Sequence, residues 1–281
     1  MIGPEIITSK TITLSFSPCP NDTFALCAML EGHIPLRQPW HIELHDIETL
    51  NEQALTVNHQ KEANFISKVS SGALSGLDHY FLLPCGMAYT EQAGPLLVVT
   101  PEAKFKDLSS LHLLSPGKHT TAFALAKTLL NLSSNVTHLR YDRVIPALKD
   151  SRADGGILIH EARFTYNDYG LIKKYDLGEL WQNQKHLPLV LAGVVAHQSL
   201  HPSIIEDFIH DFRASLTWAW QNREKAILLA QKYAQEKDLL IVQAHIEHFV
   251  TQNTYEASLD CYKSLKTLDS CASPFHLRNR A

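Results

Sequence analysis

The sequence has few cysteines, no pair of them spaced as Cys-x-x-Cys, no long basic run and no long apolar run. Each absence excludes a class. The five cysteines, Cys19, Cys27, Cys85, Cys261 and Cys271, are odd in number and scattered, which speaks against a disulfide framework or a zinc knuckle. Reduced thiols in a cytoplasm are the expectation. Net charge is −4 without a basic stretch, so nucleic acid is not an expected partner. No apolar run reaches the ~18 residues of a membrane span, so no membrane partner is expected. The start, MIGPEIITSKTITLSFSP, lacks a basic region followed by an apolar core, and reads without a signal peptide. There is no internal repeat, no G-x-x-x-x-G-K-[ST] phosphate loop and no H-E-x-x-H helix.

What is present is ordinary for a globular chain: 281 residues, 45% hydrophobic and 19% charged. That length suits about two domains of ~150 residues. Histidine is plentiful, at sixteen. The pairs His245/His248, His197/His201 and His41/His45 lack a carboxylate in a recognised ligand pattern, so no metal site is expected.

Along the chain, short β-branched runs alternate with helical spacing. Thr11–Phe16 reads as a strand and passes into Ser17-Pro18-Cys19-Pro20-Asn21-Asp22-Thr23-Phe24. The prolines fix that turn, and Asn21 or Asp22 can cap the helix that follows. It is either a rigid connection or a set of polar groups at the ligand edge of a sheet. Strands at His41–Asp46 and Ala63–Ile66 follow, the second leading into Ser67-Lys68-Val69-Ser70 before a helix. Lys68 there is either a solvated surface lysine or a point charge for a carboxylate. Tyr80–Leu83 is a fourth strand, and Gly94–Thr100 a buried one that crosses into another lobe.

In that lobe a strand at Leu111–Leu114 meets Ser115-Pro116-Gly117-Lys118-His119-Thr120-Thr121. Thr120 is an ordinary N-cap, or the loop is an anion cradle at a helix start. Strands at Val136–Tyr141, Gly155–His160 and Leu171–Leu177 follow, and Leu189–Ala196 returns. His160 falls where its strand ends, the edge at which open α/β sheets bind ligands. It is either a packed, hydrogen-bonded histidine or an acid/base near neutral pH. From Pro202 the spacing is helical over 202–221, 223–235, 239–252 and 255–268, with Asn253 and Thr254 breaking the last two helices. Trp218, Trp220, Phe249 and Tyr255 read as packing groups.

This order describes an α/β, two-lobed, type II periplasmic-binding-protein-like fold with two crossing strands and a central cleft. The larger, discontinuous lobe spans 1–97 and 196–281, the smaller one 98–195. The physical reading reaches a cytoplasmic protein with a small anionic ligand and His160 as a candidate acid/base.

The residues also resemble a known family. SPCPNDTF at 17–24, DIETLN at 46–51, SKVS at 67–70, GPLLVV at 94–99, PGKHTTA at 116–122, RYDRVIP at 140–146 and ILIHEARFTYNDYGL at 157–171 occur in its order. The chain resembles the 1,4-dihydroxy-6-naphthoate synthases of the futalosine route to menaquinone. The resemblance implies a cofactor-free lyase that converts cyclic dehypoxanthinylfutalosine to 1,4-dihydroxy-6-naphthoate and dihydroxyacetone. It implies His160 as the base, Lys68, Val69, Ser70, Thr120 and Thr121 as substrate-binding residues, and, less specifically, Asn21, Asp22 and Thr23 as cleft residues. The Leu83–Ala88 stretch departs from the family pattern, with Cys85 either lining the cleft or buried. The alternatives are a chorismate dehydratase of the same route, or a non-catalytic cytoplasmic binding protein for a small anion. The oligomeric state stays open, a homodimer included.

Overall fold

A computed structural model describes residues 11–91, 93–132, 135–235, 237–268 and 273–274. The first ten residues, Cys271 and residues 275–281 lie outside them.

The chain runs β1 (Ile12–Phe16), α1 (Pro20–Leu30), β2 (Trp40–Leu44), α2 (Ile47–Val57), β3 (Phe65–Ser70), β4 (Tyr80–Leu82) and β5 (Ala88–Thr90). It continues through β6 (Leu96–Val99), β7 (Leu113–Ser115), α3 (Thr121–Leu130), β8 (Val136–His138), α4 (Val144–Lys149), β9 (Gly155–Leu158), α5 (Ala162–Thr165), β10 (Ile172–Asp176) and α6 (Leu177–Lys185). β11 (Leu189–His197) leads to α7 (Pro202–Gln221), α8 (Arg223–Tyr233), α9 (Leu239–Phe249), α10 (Gln252–Tyr255), α11 (Leu259–Thr267) and β12 (Ser273–Pro274).

The strands form two sheets. The first has the order β12-β4-β11-β3-β1-β2, with β5 also on β11, and the second β10-β6-β9-β7-β8. β1, β2 and β3 are mutually parallel across β1, and β7, β8 and β9 across β7, as helical crossovers require. The remaining pairs of β6, β10 and β11 are antiparallel. The carboxyl ends of β1, β3, β7 and β9 therefore carry the turns that the sequence singles out. In this architecture that edge is where ligands sit.

Each sheet buries both faces. Under the first, Phe16 packs with Phe208 and Phe212 of α7, ring centroids 6.1 and 6.4 Å away. Its other face holds Val69, Tyr80, Cys261 and Leu265. The second sheet packs Leu125, Ile157 and Trp181 on one side and Val144, Leu148 and Leu158 on the other. β11 starts with Leu189 in the core of the second sheet and ends hydrogen-bonded in the first. β6 lies wholly in the second sheet and β11 wholly in the first.

Three local expectations differ. Ser67-Lys68-Val69-Ser70 is strand, because all six residues of β3 are buried and paired between β1 and β11. Neither Asn21 nor Asp22 caps α1. Pro20 opens that helix, whose cap position is Cys19 with no side-chain cap bond, which releases both polar side chains for other partners. Asn253 and Thr254 lie inside the short helix α10, held by a Thr251–Thr254 capping box, rather than breaking it. The four described cysteines are free and buried, and Cys85 sits in the core with its thiol pushed up to about 12 by desolvation.

Candidate active site

A cavity of about 90 Å³, partly open to solvent, lies between the two sheets. β3 and the turn from β1 into α1 form one wall, the loop before α3 and the residues just after β9 form another, and His245 and Phe249 of α9 close it.

The first wall is organised by a buried ion pair. The Lys68 ammonium lies 2.8 Å from Asp22 Oδ1 and donates to the Gly86 carbonyl at 2.7 Å, with only 3% and 5% of the two side chains exposed. Lys68 is thus neither a solvated lysine nor an uncommitted charge. The Asp22 carboxylate also accepts from Asn21 Nδ2 at 2.9 Å and from the Ser17 N–H. A carboxylate only accepts, so it takes the amide end of Asn21 and turns Asn21 Oδ1 outward. That oxygen lies 3.0 Å from His245 Nε2.

His160 follows β9 by two residues and takes a left-handed backbone, φ +54°. Such φ is uncommon outside glycine and is held by its surroundings. Its Nδ1 meets the Cys19 thiol at 3.1 Å, and Tyr141 lies edge-on to the ring at 4.7 Å. Burial lowers the imidazole to about 4. Desolvation first, then the charge of Glu161, raises the Cys19 thiol. The pair is therefore a neutral thiol beside a neutral imidazole, not an activated thiolate.

The loop before α3 supplies the third set of groups. Thr120 is the N-cap: its hydroxyl accepts from the Phe123 N–H at 3.3 Å and donates to the Gly117 carbonyl at 3.0 Å. The Thr121 hydroxyl donates to the Leu191 carbonyl at 2.5 Å and accepts from the Gly72 N–H at 3.1 Å. The loop does receive an anion, from the protein itself. The Glu48 carboxylate of α2 accepts from the His119 N–H at 2.9 Å. Ser70, at the end of β3, is held through Asn51 at 2.8 and 3.1 Å.

These contacts latch one wall to the other, and Gly72 marks how tightly. A Cβ there would stand 2.9 Å from the Thr120 carbonyl oxygen and 3.1 Å from that of His119. Gly72→Ala is expected to hold the walls apart and to raise the Kd or KM for any cavity ligand by roughly tenfold. Titration against the wild type checks this, and an unchanged affinity would mean that the latch yields without cost.

Of the residues expected from sequence, Asn21, Asp22, Lys68, Ser70, Thr120, Thr121 and His160 line the cavity. Thr23 and Val69 do not. Thr23 donates to the Cys19 carbonyl inside α1, and Val69 points into the core on the opposite face of β3. Cys19 and Arg163 line the cavity as members of the Ser17–Asp22 and His160–Arg163 loops, whereas sequence reading missed His245 and took Phe249 as packing alone. Arg163 reaches the Gly94 carbonyl and pairs with Asp176. His41 and His45 both contact Glu43, at 3.0 and 3.3 Å, rather than forming a ligand pair. Among the described residues, His59, Asp78 and His79 form a cluster with metal-ligand spacing, and it is exposed, away from the cavity.

Two βα sheets joined through β11, with a cavity between their carboxyl edges, define a two-lobed protein of the periplasmic-binding-protein-like class. The ligand-binding component of an ABC-type import system from Staphylococcus aureus has the same fold, with TM-score 0.64 at 11% identity, covering 95% of this chain and 97% of that one. A protein from Archaeoglobus fulgidus is closer, at TM-score 0.84 and 30% identity over 93% of this chain and 96% of its own. The chain matches the family described as Menaquinone biosynthesis over residues 12–274, and it belongs to that family. Two similar proteins bear the name 1,4-dihydroxy-6-naphthoate synthase. The one from Streptomyces coelicolor is 32% identical over 268 residues, 93% of each chain. The one from Thermus thermophilus is 34% identical over 242 residues, 86% of each.

Proposed function

We propose that this protein is a carbon–carbon lyase that converts cyclic dehypoxanthinylfutalosine to 1,4-dihydroxy-6-naphthoate and dihydroxyacetone in the cytoplasm. The observation that carries the reading is His160: a neutral imidazole, half-buried just beyond the carboxyl end of β9, facing a cavity whose polar groups are already oriented. The names of the two similar synthases support the product, 1,4-dihydroxy-6-naphthoate.

In this reading the His160 imidazole takes an acidic proton from the carbon beside the substrate ketone. Negative charge then builds on the carbonyl oxygen. The hydroxyl protons of Thr120 and Thr121 are committed to the Gly117 and Leu191 carbonyls, so the donors left for that oxygen are the first N–H groups of α3. Elimination releases the dihydroxyacetone fragment and leaves an aromatic ring, and aromatisation favours the products. The reaction is redox-neutral and calls on no cofactor. Ser70 and Asn21 border the substrate, Lys68 acts through Asp22, and Thr23 and Val69 support the wall from behind.

The test is direct. Purified protein with cyclic dehypoxanthinylfutalosine, and no added metal or nucleotide, is expected to yield 1,4-dihydroxy-6-naphthoate by mass detection. A folded protein that binds this substrate without turnover is instead a binding protein.

A further inference from the structure

His245 stands 85 residues beyond His160 in the sequence and on a different element, yet it enters the same cavity. Only 2% of it is exposed. Its Nε2 lies 3.0 Å from Asn21 Oδ1. That oxygen is an acceptor, because the other end of the amide donates to Asp22. Nε2 must therefore carry the proton, and the lone pair falls on Nδ1. The tautomer is set by a relay that starts at the buried ammonium of Lys68 and passes through Asp22 and Asn21.

Nδ1 itself is buried and has no hydrogen-bond partner among the described residues. A dry, unsatisfied acceptor is unfavourable and rare in native structures unless something else satisfies it. The imidazole rings of His245 and His160 are 6.3 Å apart, near enough for one small ligand to touch both. The neighbouring wall of Phe249, 4.8 Å from the His245 ring, offers no polar group of its own.

We propose that His245 Nδ1 accepts a hydrogen bond from a hydroxyl of the substrate, close to the carbon whose proton His160 removes. The inference rests on the lyase reading and deepens it: the sugar-derived hydroxyls are the only O–H donors that substrate offers, so His245 selects the end that departs as dihydroxyacetone. Burial and the neighbouring His160, His248 and Arg163 lower the His245 imidazole well below its ordinary value. The ring thus stays an acceptor and does not become a cation on this wall.

Binding of intact cyclic dehypoxanthinylfutalosine, measured by calorimetry in a His160→Ala background, tests this without turnover. Adding His245→Phe keeps a ring against Phe249 and removes the acceptor. It is expected to weaken binding about 10-fold to 100-fold. Adding His245→Asn returns a short acceptor near the position of Nδ1 and is expected to recover affinity to within about fivefold. Equal binding with and without His245→Phe overturns the inference and leaves the lyase reading standing. A folded His245→Asn protein that binds as weakly as the phenylalanine variant overturns it too, because the ring and not the acceptor would then matter. No binding by the His160→Ala protein overturns the substrate assignment and this inference together.

Discussion

Replacing His160 by alanine is expected to lower kcat/KM by about 10²-fold to 10⁴-fold, while substrate affinity changes by no more than a few-fold. The split matters. A general base acts in the transition state, so its loss appears in kcat, whereas a residue that only shapes the cavity raises KM. Burial sets the pH dependence and its sign. The imidazole is lowered to about 4, and the active form is the neutral one. Activity should therefore rise with pH through an acidic limb near 4 and stay level through about pH 7. An acidic limb near the ordinary histidine value of ~6.5 would mean that His160 is solvated in the working protein. Turnover by His160→Ala at the wild-type rate would remove it as the base and leave the Cys19 thiol, 3.1 Å from Nδ1, as the group to replace next.

The parts of this site that were legible in the sequence are those in which local chemistry and position coincide. The Ser115–Thr121 loop declares itself through proline, glycine and paired hydroxyls, and Thr120 does cap α3. His160 shows itself by ending an apolar strand, although β9 stops at Leu158 and the histidine needs a left-handed turn to face the cavity. The missed groups depend on distance in sequence. Nothing near Ala244-His245-Ile246 distinguishes an active-site helix from a packing helix. His245 becomes informative only when Asn21, more than two hundred residues earlier, fixes its tautomer. Lys68 misled for the opposite reason. Serines and a lysine inside a strand look like the end of that strand when the pattern is read for burial. Here the polar face of β3 is buried as well, because it faces a cavity and an internal carboxylate. Short β5 escaped notice because its three residues earn their place by pairing with β11, a tertiary choice that propensity does not record.

The Lys68–Asp22 pair carries the largest expected effect on stability. Its charges are 2.8 Å apart and almost wholly removed from water. Lys68→Met leaves the Asp22 carboxylate buried with no counter-charge, and Asp22→Leu does the same to the ammonium. Each single variant is expected to cost about 3–5 kcal/mol in urea-unfolding free energy. The double variant Lys68→Met/Asp22→Leu should recover most of that loss, because a buried ion pair gains little over well-packed apolar groups once both charges are gone. If the double variant is as unstable as the sum of the singles, the pair is not the unit that matters, and the cost lies in the Gly86 and Ser17 contacts. Function should separate from stability in the same set. A folded double variant no longer fixes the Asn21 amide, so His245 loses its single tautomer even though the wall survives. Near-wild-type stability with weakened substrate binding is therefore the expected signature of a pair kept for orientation. Wild-type binding in the double variant would confine the ion pair to holding β3 against α1.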